Sequence, residues 1–429
     1  MKDTPRTGTE RRTFLKHLVA GTFTTLAIPS FGMSMVDETQ SAQSELPVAD
    51  FVDEQYWDLL KKQFSVPSNL VMLNAANLCP SPFFINDLVN TTLRDLSRDV
   101  SFQFRHRFAD KRAKALDALS VYLGCTKDEI GIVRNTTEGN TIIVNGIDFK
   151  PGDEIILWDQ NHPSNNVAWE QRARRSGIVV KKVSVAAEPK SKDDLITPFA
   201  KAITAKTRLI SFSHISNVSG IALPARELCQ LAKSKNILSQ VDGAQSLGMI
   251  DLNLKDMDCD FYTGSTHKWL MGPFENGVLY LRREKLSQVW PNVISAGWKE
   301  SSTTVDEKLC VLGQRNETTP FALPEIVEFH SSIGKKNVED RVKQLNAYLR
   351  KQIQSHIPNA TFITPAAAEL NAGITVINLP GKTSQDVYQK LYDNFGIACA
   401  STVGIRLSPH IYNSMQELDR VVDALKTLA

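Results

Sequence analysis

The stretch from Val241 to Lys268 constrains the fold of this chain more than any other. It reads VDGAQSLGMIDLNLKDMDCDFYTGSTHK. This pattern predicts a buried strand ending at Asp242, a Gly-Ala-Gln turn, a second strand over CDFYTGS, and then the dipeptide His267-Lys268. In open α/β sheets the ligand crevice forms at the carboxyl ends of the strands. We therefore expect the aspartate and the lysine to meet at one sheet edge.

An aspartate and a lysine at such an edge fit the chemistry of pyridoxal phosphate. A lysine amine forms a Schiff base with the cofactor aldehyde, and a carboxylate beside the pyridine nitrogen keeps that nitrogen protonated. The ring then accepts the electrons left when a bond at an amino-acid α-carbon breaks. We assign these two roles to Lys268 and Asp242. Either residue alone is more often a surface or cap residue, so the argument depends on the pair.

The segments VDGAQ and DFYTGSTHK together resemble the signature of the class V aminotransferases, which include cysteine desulfurases, selenocysteine lyases and isopenicillin N epimerase-like enzymes. The resemblance covers roughly residues 69–428. It implies an α/β fold, fold type I of the pyridoxal phosphate enzymes, with a mostly parallel central sheet in a large domain and a small C-terminal α/β domain. It also implies a homodimer with shared active sites.

The first 36 residues resemble a Tat export signal. They carry the twin-arginine sequence RRTFLK from Arg11 to Lys16, followed by a modestly apolar run. That run is too short and too polar for a membrane span, which needs about 20 apolar residues. We therefore expect recognition by the Tat export machinery and a periplasmic or exported location.

The remaining chain divides into a linker and two predicted domains. Residues 37–50 form the linker, and residues 51–323 form the large cofactor-binding domain, of which 51–74 could pack with the small domain. Residues 324–429 supply a linking helix and the small domain. The apolar spacing from Pro324 to Ile357 predicts that the linking helix is one long helix.

Residues 130–145, IGIVRNTTEGNTIIVN, predict a strand, a turn and a helix whose free N–H groups would stabilise a phosphate dianion. The NTTE turn resembles the family's phosphate loop, which implies Thr136 and Thr137 as ligands. Ser265 and His267 are implied to close the same site. The segment GQRNETTPFALP implies one phosphate contact from the partner subunit, Thr319 in one alignment register and Gln314 in the other.

The resemblance also assigns residues to the cofactor ring and to the substrate. His162, in DQNHPSNNVAW, matches the residue that stacks on the pyridine face, and we count it as catalytic. Asn217 in SNVSG and Gln245 in DGAQ match residues at the phenolic oxygen. Asn74 in LNAA lies on the substrate side, and Arg406 in GIRLSPH matches the arginine that binds the substrate carboxylate, which suits a bidentate guanidinium.

One departure from the desulfurases narrows the reaction. Those enzymes carry a nucleophilic cysteine on a loop just before the carboxylate-binding arginine. Here the segment from Cys399 to Arg406 is too short for such a loop, and Cys399 falls at the end of the preceding strand. Sulfur transfer through a persulfide is therefore disfavoured.

These observations predict an exported pyridoxal phosphate enzyme that acts at the α-carbon of an amino acid or peptide-borne amino acid, as an isopenicillin N epimerase-like enzyme or an aminotransferase. A C–S or other β-lyase and a non-catalytic binding protein of the same fold remain alternatives. A nicotinamide oxidoreductase would need a GxGxxG turn, which the sequence lacks. The net charge is only +2, and no basic stripe indicates nucleic-acid binding. The six cysteines are scattered and do not have the spacing of metal ligands.

Overall fold

The computed structural model describes residues 53–429, so the predicted Tat signal and linker lie outside the described residues. The strands, numbered in chain order, are β1 (Val71–Met72), β2 (Ile130–Val133), β3 (Glu154–Trp158), β4 (Val179–Val183), β5 (Thr207–Ser213), β6 (Leu238–Asp242), β7 (Phe261–Ser265), β8 (Gly277–Leu281), β9 (Thr361–Phe362), β10 (Thr375–Asn378), β11 (Ile397–Ala398), β12 (Ala400–Ser401) and β13 (Ile405–Leu407).

The α-helices of the described chain are numbered in the same way. They are α1 (Glu54–Lys61), α2 (Phe83–Arg98), α3 (Phe102–Arg105), α4 (Ala109–Leu123), α5 (Thr136–Gly146), α6 (Pro163–Ser176), α7 (Lys192–Ala202), α8 (Ala225–Ser234), α9 (Leu254–Met257), α10 (Val305–Leu309), α11 (Leu323–Ile333), α12 (Lys335–His356), α13 (Ser384–Phe395) and α14 (Met415–Leu428). None of the helices described between residues 53 and 429 is both long and apolar enough to span a bilayer.

A seven-stranded sheet with the order β2-β8-β7-β6-β5-β3-β4 is the centre of the large domain. Strand β8 runs antiparallel to both of its neighbours, and every other pair in the sheet is parallel. The predicted mostly parallel α/β fold is therefore confirmed. Strands β6 and β7 lie side by side, with Asp242 opposite Thr263. The stretch that opened the sequence analysis thus forms the middle of this sheet.

Both faces of the sheet are buried, as expected for parallel strands. Successive side chains of a strand point to opposite faces. In β3, Ile156 and Trp158 pack into one hydrophobic core, whereas Ile155 and Leu157 pack into another. Strand β3 is therefore apolar without alternation, whereas the central strands β6 and β7 also bury polar residues, among them Gln240, Asp242 and Thr263.

The small domain is built on a four-stranded sheet, β12-β13-β10-β9, and on the parallel pair β1 and β11. Strand β1 comes from the beginning of the described chain, and Val71 packs with Leu391 and Leu418 in the small-domain core. Helix α1, in contrast, contributes Trp57 and Leu60 to a large-domain core. The chain therefore passes from one domain to the other within about twenty residues of α1.

The prediction of one long helix from Pro324 to Ile357 is wrong. Helix α11 ends at Ile333, and α12 begins at Lys335, because Gly334 has a φ of 93° and breaks the helical hydrogen bonding. Glycine tolerates this conformation because it has no Cβ. Phe329 of α11 and Val342 of α12 still pack in the same large-domain core, and the change to the small-domain core comes further along α12, at Leu349.

The glycine of the VDGAQ turn is required by a close contact. A Cβ at Gly243 would lie 2.0 Å from Cζ of Tyr262, a fully buried ring. We predict that Gly243→Ala lowers the free energy of unfolding by about 1–3 kcal/mol, the usual cost of overpacking a core. Chemical denaturation monitored by circular dichroism would measure this loss. In a Tyr262→Leu background the same glycine substitution should cost less, and an equal cost in both backgrounds would contradict the explanation.

Candidate active site

The predicted site residues of the large domain follow the carboxyl ends of neighbouring parallel strands. Asp242 ends β6, Lys268 follows β7, His162 follows β3, and Asn217 lies in the loop after β5. Arg406 comes from β13 of the small domain, and its Nη1 donates a hydrogen bond of 3.1 Å to the carbonyl oxygen of Asn217. The site therefore lies where the small domain meets this edge of the sheet.

The charged residues of the site act on one another. Burial lowers the pKa of the His162 imidazole, the positive charges of Lys268 and Arg406 lower it further, and the negative charge of Asp242 opposes them. Such interactions require proximity. The structure therefore brings these four predicted residues together in one site.

The side-chain amine of Lys268 has no hydrogen-bond partner among the described residues. No hydrogen bond or ion pair to its Nζ is formed by any residue in the described part of the chain. Burial lowers the pKa of Lys268 to about 8, with the Arg406 charge acting in the same direction and Asp242 opposing it. A lysine with this pKa is partly neutral near neutral pH, which is the form that reacts with an aldehyde or removes a proton.

Asp242 is 3% exposed, and each of its carboxylate oxygens accepts a hydrogen bond. Oδ2 accepts from Nδ2 of Asn140 at 2.8 Å, and Oδ1 accepts from the backbone N–H of Ala244 at 3.1 Å. Sequence reasoning did not single out Asn140, although it directly follows the NTTEG motif. Asn140 could have been found as a polar residue at a position of the predicted helix that faces the parallel sheet, where an apolar residue is expected.

The N-terminus of α5 forms a polar cradle. Thr136 donates its N–H to Oγ of Ser265 at 2.9 Å, and the two hydroxyls are 2.7 Å apart. The Nδ1 atom of His267 is buried without a hydrogen-bond partner among the described residues. Glu138 is turned away, because it accepts hydrogen bonds from Arg134. An uncompensated ring nitrogen, two hydroxyls and a helix N-terminus fit a phosphate dianion.

The fourth predicted phosphate ligand, Thr137, is exposed beside this cradle, and its hydroxyl donates to Oγ of Ser164 at 3.3 Å. Ser164 also holds His162: the Ser164 backbone N–H donates to Nδ1 of the ring, and its hydroxyl lies 2.7 Å from the same atom. Because Nδ1 accepts a hydrogen bond, the neutral ring carries its proton on Nε2. Ser164 was missed as a site residue, although it lies inside the quoted NHPSNN segment.

The two residues predicted to contact the phenolic oxygen differ in whether their side-chain amides already make hydrogen bonds. Gln245 ties two parts of the site together, since its Nε2 donates to the Ala76 carbonyl at 2.9 Å and its Oε1 accepts from Trp269 Nε1 at 2.8 Å. One N–H of that amide remains for a ligand. The side-chain amide of Asn217 makes no hydrogen bond within residues 53–429.

Arg406 is buried without an acidic partner in the described chain. It is 5% exposed, its Nη2 donates to Oδ1 of Asn74 at 2.8 Å, and its Nε is buried with no hydrogen-bond partner. Burial lowers its pKa to about 10, so it stays protonated at neutral pH. A buried charge without a counter-charge is costly. Arg406 and Asn74 together therefore form a site for an anionic ligand group such as a carboxylate.

The two candidates for the partner contact lie in one segment. Thr319 precedes a short 3-10 turn, and its Oγ1 is buried without a partner among the described residues. Gln314 is exposed and accepts a hydrogen bond of 3.2 Å from Arg105. No hydrogen bond joins either one to the cradle. No cluster of potential metal ligands occurs in residues 53–429.

Comparison with known proteins defines the class. The profile of the family "Aminotransferase class-V" matches residues 95–421. This chain therefore belongs to the class V aminotransferases, a family of pyridoxal phosphate enzymes.

Among curated relatives, the isopenicillin N epimerase of Amycolatopsis lactamdurans is 29% identical over 394 residues, which cover 87% of this chain and 98% of that protein. A probable cysteine desulfurase of Pyrococcus abyssi is 27% identical and covers 72% of this chain and 80% of its own.

Solved structures share the fold. The apo cysteine desulfurase of Thermococcus onnurineus NA1 superposes with a TM-score of 0.76 at 22% identity, over 86% of this chain and 96% of that chain. A mutant of C-DES with glycine covalently linked to its pyridoxal phosphate cofactor gives 0.78 at 21% identity, over 85% and 98%. The expected fold type I architecture is confirmed.

The lowered pKa of Lys268 predicts selective reactivity in cofactor-free protein. An acylating reagent that attacks neutral amines should modify Lys268 increasingly as the pH rises from 7 to 9, because deprotonation occurs around pH 8. Exposed lysines, with a pKa near 10.4, should follow only at higher pH. Peptide mass spectrometry after brief labelling at each pH would measure both sets. A midpoint for Lys268 equal to that of the exposed lysines would contradict the prediction.

Proposed function

We propose that this chain binds pyridoxal phosphate through Lys268 and acts at the α-carbon of an amino acid or peptide-borne amino acid, by epimerisation or transamination. The observation that carries the proposal is Arg406, a buried arginine without an acidic partner in the described chain, in the same site as a partly neutral lysine. A substrate carboxylate on Arg406 would orient the α-carbon toward the amine of Lys268.

Each predicted residue has a role that its contacts support. Asp242 would lie beside the ring nitrogen, and Thr136, Thr137, Ser265 and His267 would hold the phosphate. Pyridoxal phosphate supplies an electron sink for charge developing at the substrate α-carbon. Lys268 removes the proton from that carbon as a general base, for which a pKa near the operating pH is favourable.

Four further residues would hold the ring and the substrate. His162, kept neutral by burial and by its cationic neighbours, would cover the ring face. Asn217 and Gln245 have amide N–H groups left for the phenolic oxygen. Asn74 is a positioning residue in this proposal, because it holds one end of the Arg406 guanidinium and so fixes the direction of its remaining N–H groups.

Two observations favour epimerisation or transamination over sulfur transfer. Cys399 is 2% exposed, and burial raises its pKa to about 12, whereas a cysteine nucleophile needs an accessible thiolate. The match to the isopenicillin N epimerase of Amycolatopsis lactamdurans extends over 98% of that protein, so the resemblance is not confined to a cofactor motif.

We also propose that two copies of this chain form a dimer through the surface around α2 and α3. A groove of about 810 Å³ lies there, lined by residues including Arg105 and Gln314. Val100 and Phe102 beside it are 73% and 79% exposed, which is unusual for apolar side chains. Thr319, whose hydroxyl has no hydrogen-bond partner among the described residues, directly follows the residues from Gln314 to Thr318 that line this groove. A partner subunit would cover Val100 and Phe102, and this segment would supply the contact to the partner's phosphate site, from Thr319 or from the exposed Gln314.

Export by the Tat pathway remains part of the proposal. It is supported by the twin-arginine sequence from Arg11 to Lys16 and by the apolar run after it. Tat carries folded proteins, so cofactor loading before export is compatible with this route.

The function is tested by incubating the purified holoprotein with a panel of amino acids in deuterium oxide. We expect deuterium at the α-carbon, with inversion for an epimerase or with an oxo acid for a transaminase. Mass spectrometry and chiral chromatography would distinguish these products. The Lys268→Ala variant should lose the visible absorbance that borohydride bleaches, as well as the exchange. A lost side chain would identify a β-lyase, and a protein that binds cofactor without any exchange would contradict an enzymatic role.

Replacing Arg406 with lysine should weaken substrate binding while the cofactor stays bound. Loss of a bidentate hydrogen bond to a charged group corresponds to a KM higher by roughly 10- to 100-fold. Steady-state kinetics and a cofactor titration would measure the two effects. Arg350→Lys is a matched control, because Arg350 donates to the backbone carbonyls of Thr364 and Pro365 and makes no hydrogen bond to a predicted site residue among those described. Loss of cofactor from the Arg406 variant would contradict a substrate role.

A further inference from the structure

A chain of buried hydrogen bonds leads to Asp242 from the interior. Trp169 donates its Nε1–H to Oε1 of Gln240 at 3.1 Å, and Nε2 of Gln240 donates to Oδ1 of Asn140 at 3.1 Å. Nδ2 of Asn140 then donates to Oδ2 of Asp242 at 2.8 Å. The hydroxyl of Thr263 donates to the same Oδ1 of Asn140 at 2.7 Å. All five residues are at most 3% exposed. We call them the Trp169–Asp242 chain.

The indole at the far end sets the direction of every bond in this chain. An indole N–H can only donate, whereas an amide side chain can be turned either way. Trp169 therefore requires the oxygen of Gln240 to face it, which turns the Gln240 amino group toward Asn140. Two donors, from Gln240 and Thr263, then face the oxygen of Asn140. Its amino group has one direction left, toward the carboxylate of Asp242.

The elements of the fold explain why these residues meet. Gln240 and Asp242 are two residues apart in β6 and so lie on one face of the sheet. Thr263 is opposite Asp242 in β7. Asn140 lies one turn beyond Thr136 in α5, so a single helix holds the cradle at its N-terminus and Asp242 from its second turn. Gly139 permits the approach, since a Cβ there would lie 2.9 Å from Cγ2 of Thr263.

We propose that Asn140 is a positioning residue, kept in orientation by Trp169 through Gln240, that aims the Asp242 carboxylate at the ring nitrogen of the cofactor. This inference rests on the proposed function. Asn140 holds Oδ2 and the Ala244 N–H holds Oδ1, so rotation of the carboxylate is restricted. The lone pairs that remain are directed at the ligand. Asn140 does not touch the reacting atoms and acts only through Asp242.

A role in packing alone does not account for this arrangement. Polar side chains at the buried face of a parallel sheet stabilise the fold less than well-packed apolar residues of the same volume. They become useful when every member is satisfied and the chain ends on a group whose orientation matters. The four side chains that precede Asp242 are all hydrogen-bonded, and the chain ends on the only carboxylate predicted to contact the cofactor.

The test compares holoprotein variants by the ¹⁵N chemical shift of the ring nitrogen of labelled pyridoxal phosphate and by the dissociation constant of the cofactor. In Asn140→Leu we expect the shift to move toward that of the unprotonated ring and the dissociation constant to rise about 10- to 100-fold, since a hydrogen bond to a charged group is lost. Trp169→Phe removes only the indole N–H that donates to Gln240 at the interior end of the Trp169–Asp242 chain. It should move both quantities in the same direction by a smaller amount.

Trp158→Phe is the matched control. Trp158 is fully buried like Trp169, but its Nε1 has no hydrogen-bond partner among the described residues. It should behave as wild type in both measurements, whatever it loses in melting temperature. Wild-type shift and affinity in both Asn140→Leu and Trp169→Phe, with only a lower melting temperature, would overturn the proposal.

If Asn140→Leu fails to fold, the Trp169→Phe variant tests the proposal alone. A ¹⁵N chemical shift of the ring nitrogen equal to that in Trp158→Phe would then overturn the inference. A wild-type protein that binds no pyridoxal phosphate would instead contradict the proposed function itself, and the two failures are therefore distinguishable.

Discussion

A carboxylate buried in the middle of an apolar sheet is the feature on which the rest of this structure depends. Placing the charge of Asp242 at the end of β6 costs free energy unless donors and an opposite charge surround it. Asn140 and Ala244 supply two donors, and Lys268 supplies positive charge at longer range. In the proposed function, a protonated pyridine ring beside the carboxylate would complete this balance.

The small domain contributes the buried arginine of the site. Arg406 reaches the site from β13, and its hydrogen bonds to Asn74 and Asn217 join three separate parts of the chain. Its burial without an acidic partner in the described chain makes it dependent on an anionic ligand. In the proposed function, substrate binding and the apposition of the two domains would be coupled through this guanidinium.

Helix α5 connects the two ends of the cofactor site. Its N-terminus forms the phosphate cradle with Ser265, and Asn140 in its second turn contacts Asp242. A shift of this helix would therefore disturb both ends at once. Gly139 explains how the helix comes close enough to β7, since any larger residue would meet Thr263. The geometry of the site is thus set by backbone proximity as much as by the polar side chains.

The sequence by itself determined the strand order around Asp242 and Lys268, the mostly parallel sheet and the residues that converge, because those features follow from local apolar patterns and a specific family signature. It did not reveal the break at Gly334, since the apolar spacing continues through it and the positive φ of this glycine is seen only in the structure. Nor did it reveal Asn140 and Ser164, or the absence of an acidic partner for Arg406. Those depend on contacts between residues far apart in the chain, which only the tertiary structure brings together.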